Sequence, residues 1–519
     1  MSGESSRQFE IDDLNLNKDI YGFNLSPDGK RWVFISRSGE IIESNPKYGE
    51  RGDIVVKPIE DLVIMSANGG YPQPLGVGNL HISRPQWSPD GQWISWGSEQ
   101  GVWICSPSTG ETRHLVSESV KQLSLGEIST KTRQSSGDAL WASVSWSPDG
   151  QSLLYIVDKG EKQELWLVDV EGTSHHRLYS LDGRVFSRQW SPDGKKILFT
   201  SQNWDGITGG IWLLDACTGK AVCLSRELDC FYLRPLATWT PDGNAIIFRS
   251  NRSGYAKLWR MSPDGSDVQQ LTFGKHDDSL FRVSPDGNLL AYASRAEQLG
   301  GDDIWLLPLS GGNPNRLTQH PGINCPLAWS PDSKTIYYFH TSPVEPGDLW
   351  SIRVIGKKGE LLTQSRNPWL ETLHAWPDEI LIPSSGCDIY TLLYKPLDFD
   401  PTKKYPAVLL IKGGPTSAMR PAYQTEPRWL ANQGYIVACP NYRGSIGFGV
   451  EYMNAGAQGQ AGQTDLDDIF SVANHIKSLS YIASEKLGIT GRSWGGYMTL
   501  MAITHQPDMF QCAVAHAAI

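Results

Sequence analysis

No two cysteines of this chain form a C-x-x-C pair; its eight are scattered over 519 residues. That spacing argues against a structural zinc site or a disulfide framework and makes a reducing cytoplasm the expected compartment. Long apolar runs are also missing. The longest are about seven residues, as around Ala407-Val408-Leu409-Leu410-Ile411, far short of the ~20 that span a bilayer, so no membrane association is expected. Met1 to Asn15 is polar and acidic, with no basic stretch leading into an apolar one, so no secretory leader is expected. Basic charge is scarce: 46 Lys and Arg face 56 Asp and Glu, a net charge of −10, with a pI near 5.6. A nucleic-acid partner needs a basic footprint, and none is here. Neither a metal nor an organic cofactor is expected.

What the chain has in abundance is a repeat. Ser-Pro-Asp-Gly or a close variant recurs at Ser26, Ser88, Ser147, Ser191, Thr240, Ser284 and Ser330, at spacings of 62, 59, 44, 49, 44 and 46 residues. Trp87, Trp146, Trp190, Trp239 and Trp329 stand just before five of the copies. A second mark follows each copy: Val63, Trp103, Trp166, Trp212, Trp259, Trp305 and Trp350. Pro suits the first central position of a type I turn, Asp the next, and Gly the left-handed position after it. Alternating apolar stretches on both sides read as strands. Each unit gives about four strands, the size of one propeller blade, and seven units give seven blades. The tryptophans are expected in the core between blades. Glu43–Asp53 and Ser117–Asp138 read as polar surface insertions, either spacers or a lid or subunit contact.

From about Leu381 the period changes. Tyr405–Ile411, Gly434–Ala438, Leu487–Thr490 and Cys512–Ala515 are short runs with little alternation, expected as fully buried parallel strands. Asp388–Pro396 reads as a preceding strand, and Asp465–Leu479 carries a helical apolar stripe with an acidic start. Strand–helix alternation predicts an α/β sheet. The expected organisation is an N-terminal extension over 1–20, an all-β seven-bladed propeller over 21–370, and an α/β-hydrolase domain over 371–519, incomplete at its C-terminus.

The chemistry sits at Gly491-Arg492-Ser493-Trp494-Gly495-Gly496, after the apolar run Leu487-Gly488-Ile489-Thr490. G-x-S-x-G on a strand-to-helix turn is where an α/β-hydrolase holds a nucleophilic serine, which makes Ser493 the candidate. The Trp494 N–H is expected as one oxyanion donor, and the Gly413 or Gly414 N–H, in the loop Lys412-Gly413-Gly414-Pro415, as the other. A serine needs a base and an orienting acid, and no convincing partner follows. His475 and His505 read as surface residues, and His516 as packing on the last strand. Asp467 and Asp468 suit a helix N-terminus, and Asp508 lies in a turn.

Propeller units followed by this segment resemble the prolyl oligopeptidase family of serine peptidases, especially its acylaminoacyl-peptidase and dipeptidyl-peptidase-like branches. The matching residues are Lys412 to Pro415, Pro440-Asn441-Tyr442-Arg443-Gly444-Ser445, and Gly491 to Tyr497. The resemblance implies hydrolysis of short peptides by acyl transfer through Ser493, with the propeller limiting access. It also implies Trp494 in the first specificity pocket. Arg443 is a substrate-binding candidate, with a structural ion pair as the alternative. Three departures stand out. Lys412 occupies a position that is usually His, and Gln460-Ala461-Gly462 replaces a Trp-Gly pair. The family's Asp and His, expected further on, have no counterpart, so the chain alone is expected to be inactive or nearly so. A catalytically incomplete binding propeller and an esterase-like hydrolase stay open as alternatives, as does the oligomeric state.

Overall fold

The computed structural model describes residues 19–42, 55–77, 82–98, 100–117, 144–160, 162–202, 209–225, 236–356, 358–365, 376–456 and 462–518. The insertion Glu43–Asp53, nearly all of Ser117–Asp138, the expected boundary at 370/371, Gln460-Ala461 and most of the N-terminal extension lie outside these residues.

The propeller is built from its turns. In every unit the Ser or Thr hydroxyl donates to the Asp carboxylate two residues on, at 2.5–2.6 Å. The same hydroxyl oxygen accepts the N–H five residues on, at 2.9–3.0 Å. The fourth residue needs a left-handed backbone, which glycine adopts without a Cβ penalty. Six units supply Gly there; the seventh uses Ser333 at φ +58°. A Cβ on each turn glycine would face the turn proline of the preceding blade: Gly91 faces Pro27, Gly150 Pro89, Gly194 Pro148, Gly243 Pro192, Gly287 Pro241, and Gly29 Pro331. The Ser333 hydroxyl accepts the Asp286 N–H at 3.2 Å and completes the circle. Seven local turns thus form one closed ring at one end of the propeller.

The blades are seven four-stranded antiparallel sheets, each of consecutive strands. They run Asp19–Pro74, Gln86–Val116, Ser145–Leu181, Arg184–Ser225, Ala237–Gln270, Asp278–Arg316 and Ile323–Leu361. Among the described residues no blade borrows a strand, and the first and last are joined by packing. Trp32, Phe34, Val63 and Met65 of blade 1 meet Tyr337 and Leu349 of blade 7 in one cluster, with the Trp32 and Tyr337 rings edge-on at 5.1 Å. The tryptophans before the turns are 5–8 % exposed. Each fills the seam to the preceding blade, as Trp190 does among Leu154, Ile156 and Leu165. The second set, Trp103 to Trp350, is only half-buried. Those rings flank the seams, and four of them place the indole N–H on a polar partner: Trp103 on Ser98 Oγ, Trp166 on Glu164 Oε2, Trp212 on Ser201 Oγ and Trp259 on Ser250 O.

The second unit of structure is a six-stranded sheet. We number its strands β1 (Asp378–Ser384), β2 (Cys387–Tyr394), β3 (Tyr405–Ile411), β4 (Ile436–Pro440), β5 (Ile482–Arg492) and β6 (Cys512–His516), and its helices α1 (Thr425–Asn432), α2 (Val450–Ala455), α3 (Thr464–Ser478) and α4 (Trp494–His505). The order is β1-β2-β4-β3-β5-β6. The β1–β2 and β2–β4 pairs are antiparallel and the rest parallel. Leu409, Ile411, Ile436 and Ile489 form the core under α3, which contributes Ile469, Val472 and Ile476. One expectation fails. Cys512–His516 is parallel to β5, but all five of its residues are exposed, because β6 is an outer strand that pairs on one side only among the described residues.

The two units dock through loops at the end of the propeller opposite the turn ring. Gly254 O accepts the Val450 N–H at 2.8 Å. Gly300 O accepts from Arg420 Nε at 3.2 Å, and Pro343 O from Arg428 Nη1 at 3.1 Å. Arg420 also pairs with buried Asp302 at 2.8 Å, so charge as well as backbone fixes the contact.

Because Trp190 fills a seam, Trp190→Ala should lower stability by about 3–5 kcal/mol, the range for truncating a buried large aromatic. Denaturant melts check this; a loss below about 1 kcal/mol would mean that the blade seam does not depend on this ring.

Candidate active site

Ser493 occupies the single residue between the end of β5 and the start of α4, with φ +56° and ψ −122°. Non-glycine residues avoid this region at a cost of roughly 1–3 kcal/mol, and they hold it where the surroundings over-determine it. The surroundings do so here. The Ser493 N–H donates to His516 O at 3.0 Å, and Ser493 O accepts the Tyr497 N–H at 3.0 Å. Neighbouring positions have no room for side chains. A Cβ at Gly491 would run into the Gly495 backbone, one at Gly495 would lie 2.8 Å from Lys412 O, and one at Gly496 would lie 2.8 Å from His516 O. Three glycines therefore let α4 start hard against the ends of β3, β5 and β6.

Gly413 is the closest approach from β3. A Cβ on it would stand 2.9 Å from Arg492 O and 3.6 Å from the Ser493 Cβ. Gly414 follows at φ +60°. Trp494 is the first residue of α4, where an N–H has no intrahelical acceptor. Its half-buried ring lies 5.1 Å from that of Tyr497. The structure thus brings Ser493, Trp494 and Gly413 together, with Gly414 next in the loop.

Arg443 is committed elsewhere. Its Nη2 meets Asp468 Oδ1 at 2.7 Å and its Nε meets Oδ2 at 3.0 Å, while its backbone N–H donates to the same Oδ2 at 2.8 Å. Asp468 is fully buried and also accepts from Ser384 Oγ at 2.7 Å. Its position in the first turns of α3 suggested a macrodipole charge; its work is this ion pair. Asp467 stays exposed. His505 is exposed, with Nδ1 on Met501 O. His475 is half-buried on α3, and His516 meets Ser493 through its carbonyl alone among the described contacts.

Sequence reasoning missed what lies behind the glycine loop. The Lys412 ammonium is buried; it donates to Pro415 O at 2.8 Å, reaches Gly414 O at 3.5 Å and stands 4.1 Å over the Tyr442 ring. The Tyr442 hydroxyl in turn donates to Lys412 O at 3.0 Å. Lys412 therefore ties the carbonyls of the loop that carries Gly413 and Gly414. Burial lowers its pKa to about 7, with Asp465 opposing the shift. Asp465, buried at the start of α3, has its own pKa raised to about 6 by burial. Its Oδ1 accepts the Gly462 N–H at 2.8 Å and the Leu466 N–H at 3.0 Å. The sequence marked Lys412 only as a departure from the family's usual His; nothing in it placed Asp465 behind the loop.

The profile of the prolyl oligopeptidase family matches residues 421–519, and that of the TolB β-propeller domain matches residues 135–299. The dipeptidyl aminopeptidase BIII of Pseudoxanthomonas mexicana is 39% identical over 504 residues, covering 84% of this chain and 70% of the relative. Dipeptidyl-peptidase 5 of Porphyromonas gingivalis is 25% identical over 396 residues, covering 73% of this chain and 51% of the relative. The chain thus spans about half the length of that second protein. Among solved structures, a Mycobacterium tuberculosis puromycin-hydrolyzing peptidase superposes with a TM-score of 0.77 at 16% identity, covering 97% of this chain and 78% of its own. At that identity the likeness speaks for the fold.

The buried Lys412 amine gives a pH test. Between about pH 7 and 10.5 an unfolded Lys412 holds a proton that the folded one lacks, so its contribution makes stability rise with pH across that window and stay flat below it. Lys412→Met removes the term. The stability difference, wild type minus variant, should therefore increase from pH 7 to 10 in urea melts; a difference that is flat with pH would show that the amine stays charged when folded.

Proposed function

The chain belongs to the prolyl oligopeptidase family, and from that premise we propose that it hydrolyses short peptides by acyl transfer through Ser493. The observation that carries this reading is the left-handed backbone at Ser493, between β5 and α4, with Gly413 at its side. That conformation turns the hydroxyl out of the strand-to-helix bend. It leaves the Trp494 and Gly413 N–H groups as donors to the oxyanion of a tetrahedral intermediate. The names of the two curated relatives favour removal of dipeptides from a free N-terminus. The propeller end that docks on the hydrolase unit restricts entry to short chains.

In this reading no described histidine of the hydrolase unit is the base. His475 lies in the last turn of α3, and the exposed His505 closes α4 with Nδ1 on a carbonyl of its own helix. His516 serves the elbow through its backbone. Residues 1–519 alone should therefore hydrolyse dipeptidyl amides at a rate far below the ~10 s⁻¹ typical of enzymes. A fusion to the C-terminal segment that the family resemblance implies for the acid and base should regain turnover and lose it on Ser493→Ala, leaving only binding and oxyanion catalysis. Turnover in the fusion that survives Ser493→Ala would contradict the nucleophile assignment. Rapid Ser493-dependent turnover by residues 1–519 alone would instead return the base to His475, His505 or His516. Preference for p-nitrophenyl esters over dipeptidyl amides would favour an esterase.

A further inference from the structure

In the loop beside Ser493, the carbonyls of Lys412, Gly413, Gly414 and Pro415 are all held by side chains. The Tyr442 hydroxyl donates to Lys412 O at 3.0 Å. The Ser417 hydroxyl lies 2.5 Å from Gly413 O and 3.3 Å from Gly414 O. Its single hydrogen belongs to the shorter contact, Gly413 O. The Lys412 ammonium donates to Pro415 O at 2.8 Å and reaches Gly414 O at 3.5 Å. Lys412 and Ser417 thus stand at the two ends of the turn and both donate into it. The far end is anchored in turn. Ser417 O accepts the Ile446 N–H at 3.3 Å, and Asn441 Oδ1 accepts the Met419 N–H at 2.7 Å.

Holding a carbonyl aims an amide. In a planar trans peptide unit the C=O of one residue and the N–H of the next point in opposite directions. Tyr442, by holding Lys412 O, therefore aims the Gly413 N–H. Ser417, by holding Gly413 O, aims the Gly414 N–H. Lys412 and Tyr442 are buried, and a carbonyl left without its donor in so dry a place is costly. The peptide units are thereby kept from turning over. Glycine would otherwise allow that turn, since it has no Cβ to oppose it.

We propose that Ser417 and Lys412 are positioning residues for the oxyanion hole. Ser417 acts through Gly413 O, and Lys412 through Gly414 O and Pro415 O; together they keep the Gly413 and Gly414 amides turned toward the substrate oxygen at Ser493. Neither side chain touches a reacting atom. The proposal rests on the acyl-transfer reading given above and adds to it the residues that make the glycine loop a fixed donor.

Two measurements separate the proposal from that reading. The first uses residues 1–519 as they are. Hydrogen exchange read by mass spectrometry should show faster deuterium uptake over 412–419 in Ser417→Ala and in Lys412→Met, with α3 unchanged. Ser417→Thr keeps the hydroxyl and should keep wild-type uptake. Unchanged uptake over 412–419 in both of the first two variants would overturn the proposal. The second uses the fusion that carries the acid and base. Ser417→Ala should lower kcat on a dipeptidyl amide by about tenfold or more at unchanged KM, toward the ~10²-fold loss that a 1 Å misplacement causes. Ser417→Thr should restore kcat. A raised KM with kcat intact, or a loss that Thr does not recover, would also overturn the proposal. A wild-type fusion without Ser493-dependent turnover would instead count against the peptidase reading, and the exchange measurement would still decide whether Ser417 and Lys412 hold the loop.

Discussion

Everything near the candidate active site follows from one backbone conformation, that of Ser493. Holding a serine at φ +56° and ψ −122° is unfavourable by itself, so each neighbour is chosen to make it the only conformation available. Gly491, Gly495 and Gly496 are small because the bend brings α4 into contact with three strand ends. Two backbone hydrogen bonds clamp the residue from both sides. The loop after β3 can approach because Gly413 has no side chain, and Lys412 and Tyr442 hold that loop from behind. The site is thus a set of close backbone approaches, and charge enters only in a second layer.

The propeller uses the same device in another setting. A hydroxyl, a carboxylate and a left-handed glycine make a turn that needs no distant partner, and each turn glycine then rests on the proline of the turn before it. Local geometry repeated seven times becomes a ring, with tryptophans filling the seams. The opposite end of that ring carries the loops that meet the hydrolase unit. There propeller carbonyls receive the Arg420 and Arg428 side chains and the Val450 backbone N–H, with Asp302 buried against Arg420. A contact of that kind fixes orientation more than it adds affinity.

The parts legible in the sequence were those whose physics is local. The Ser-Pro-Asp-Gly turns could be read one by one, and so could the elbow, because their residue types are demanded within a few positions along the chain. The strands around Tyr405–Ile411 were readable from their apolar runs. What escaped was set by packing between distant segments. Asp468 looked like a helix-start charge, yet Arg443, 25 residues earlier, turns it into a buried ion pair. Nothing local marked Asp465 as buried behind Lys412. The exposure of Cys512–His516 depends on what lies beside β6, which an apolar run does not reveal.

The central claim is that the fold gives up stability to hold Ser493 in a left-handed bend. The most direct measurement compares the unfolding free energies of Ser493→Gly and Ser493→Ala. Glycine relieves backbone strain of roughly 1–3 kcal/mol and loses about 0.4–1 kcal/mol through the greater freedom of its unfolded chain. The account predicts that Ser493→Gly is the more stable of the two by about 1 kcal/mol. Equal stability, or a more stable alanine variant, would show that residue 493 is not strained and would contradict the account.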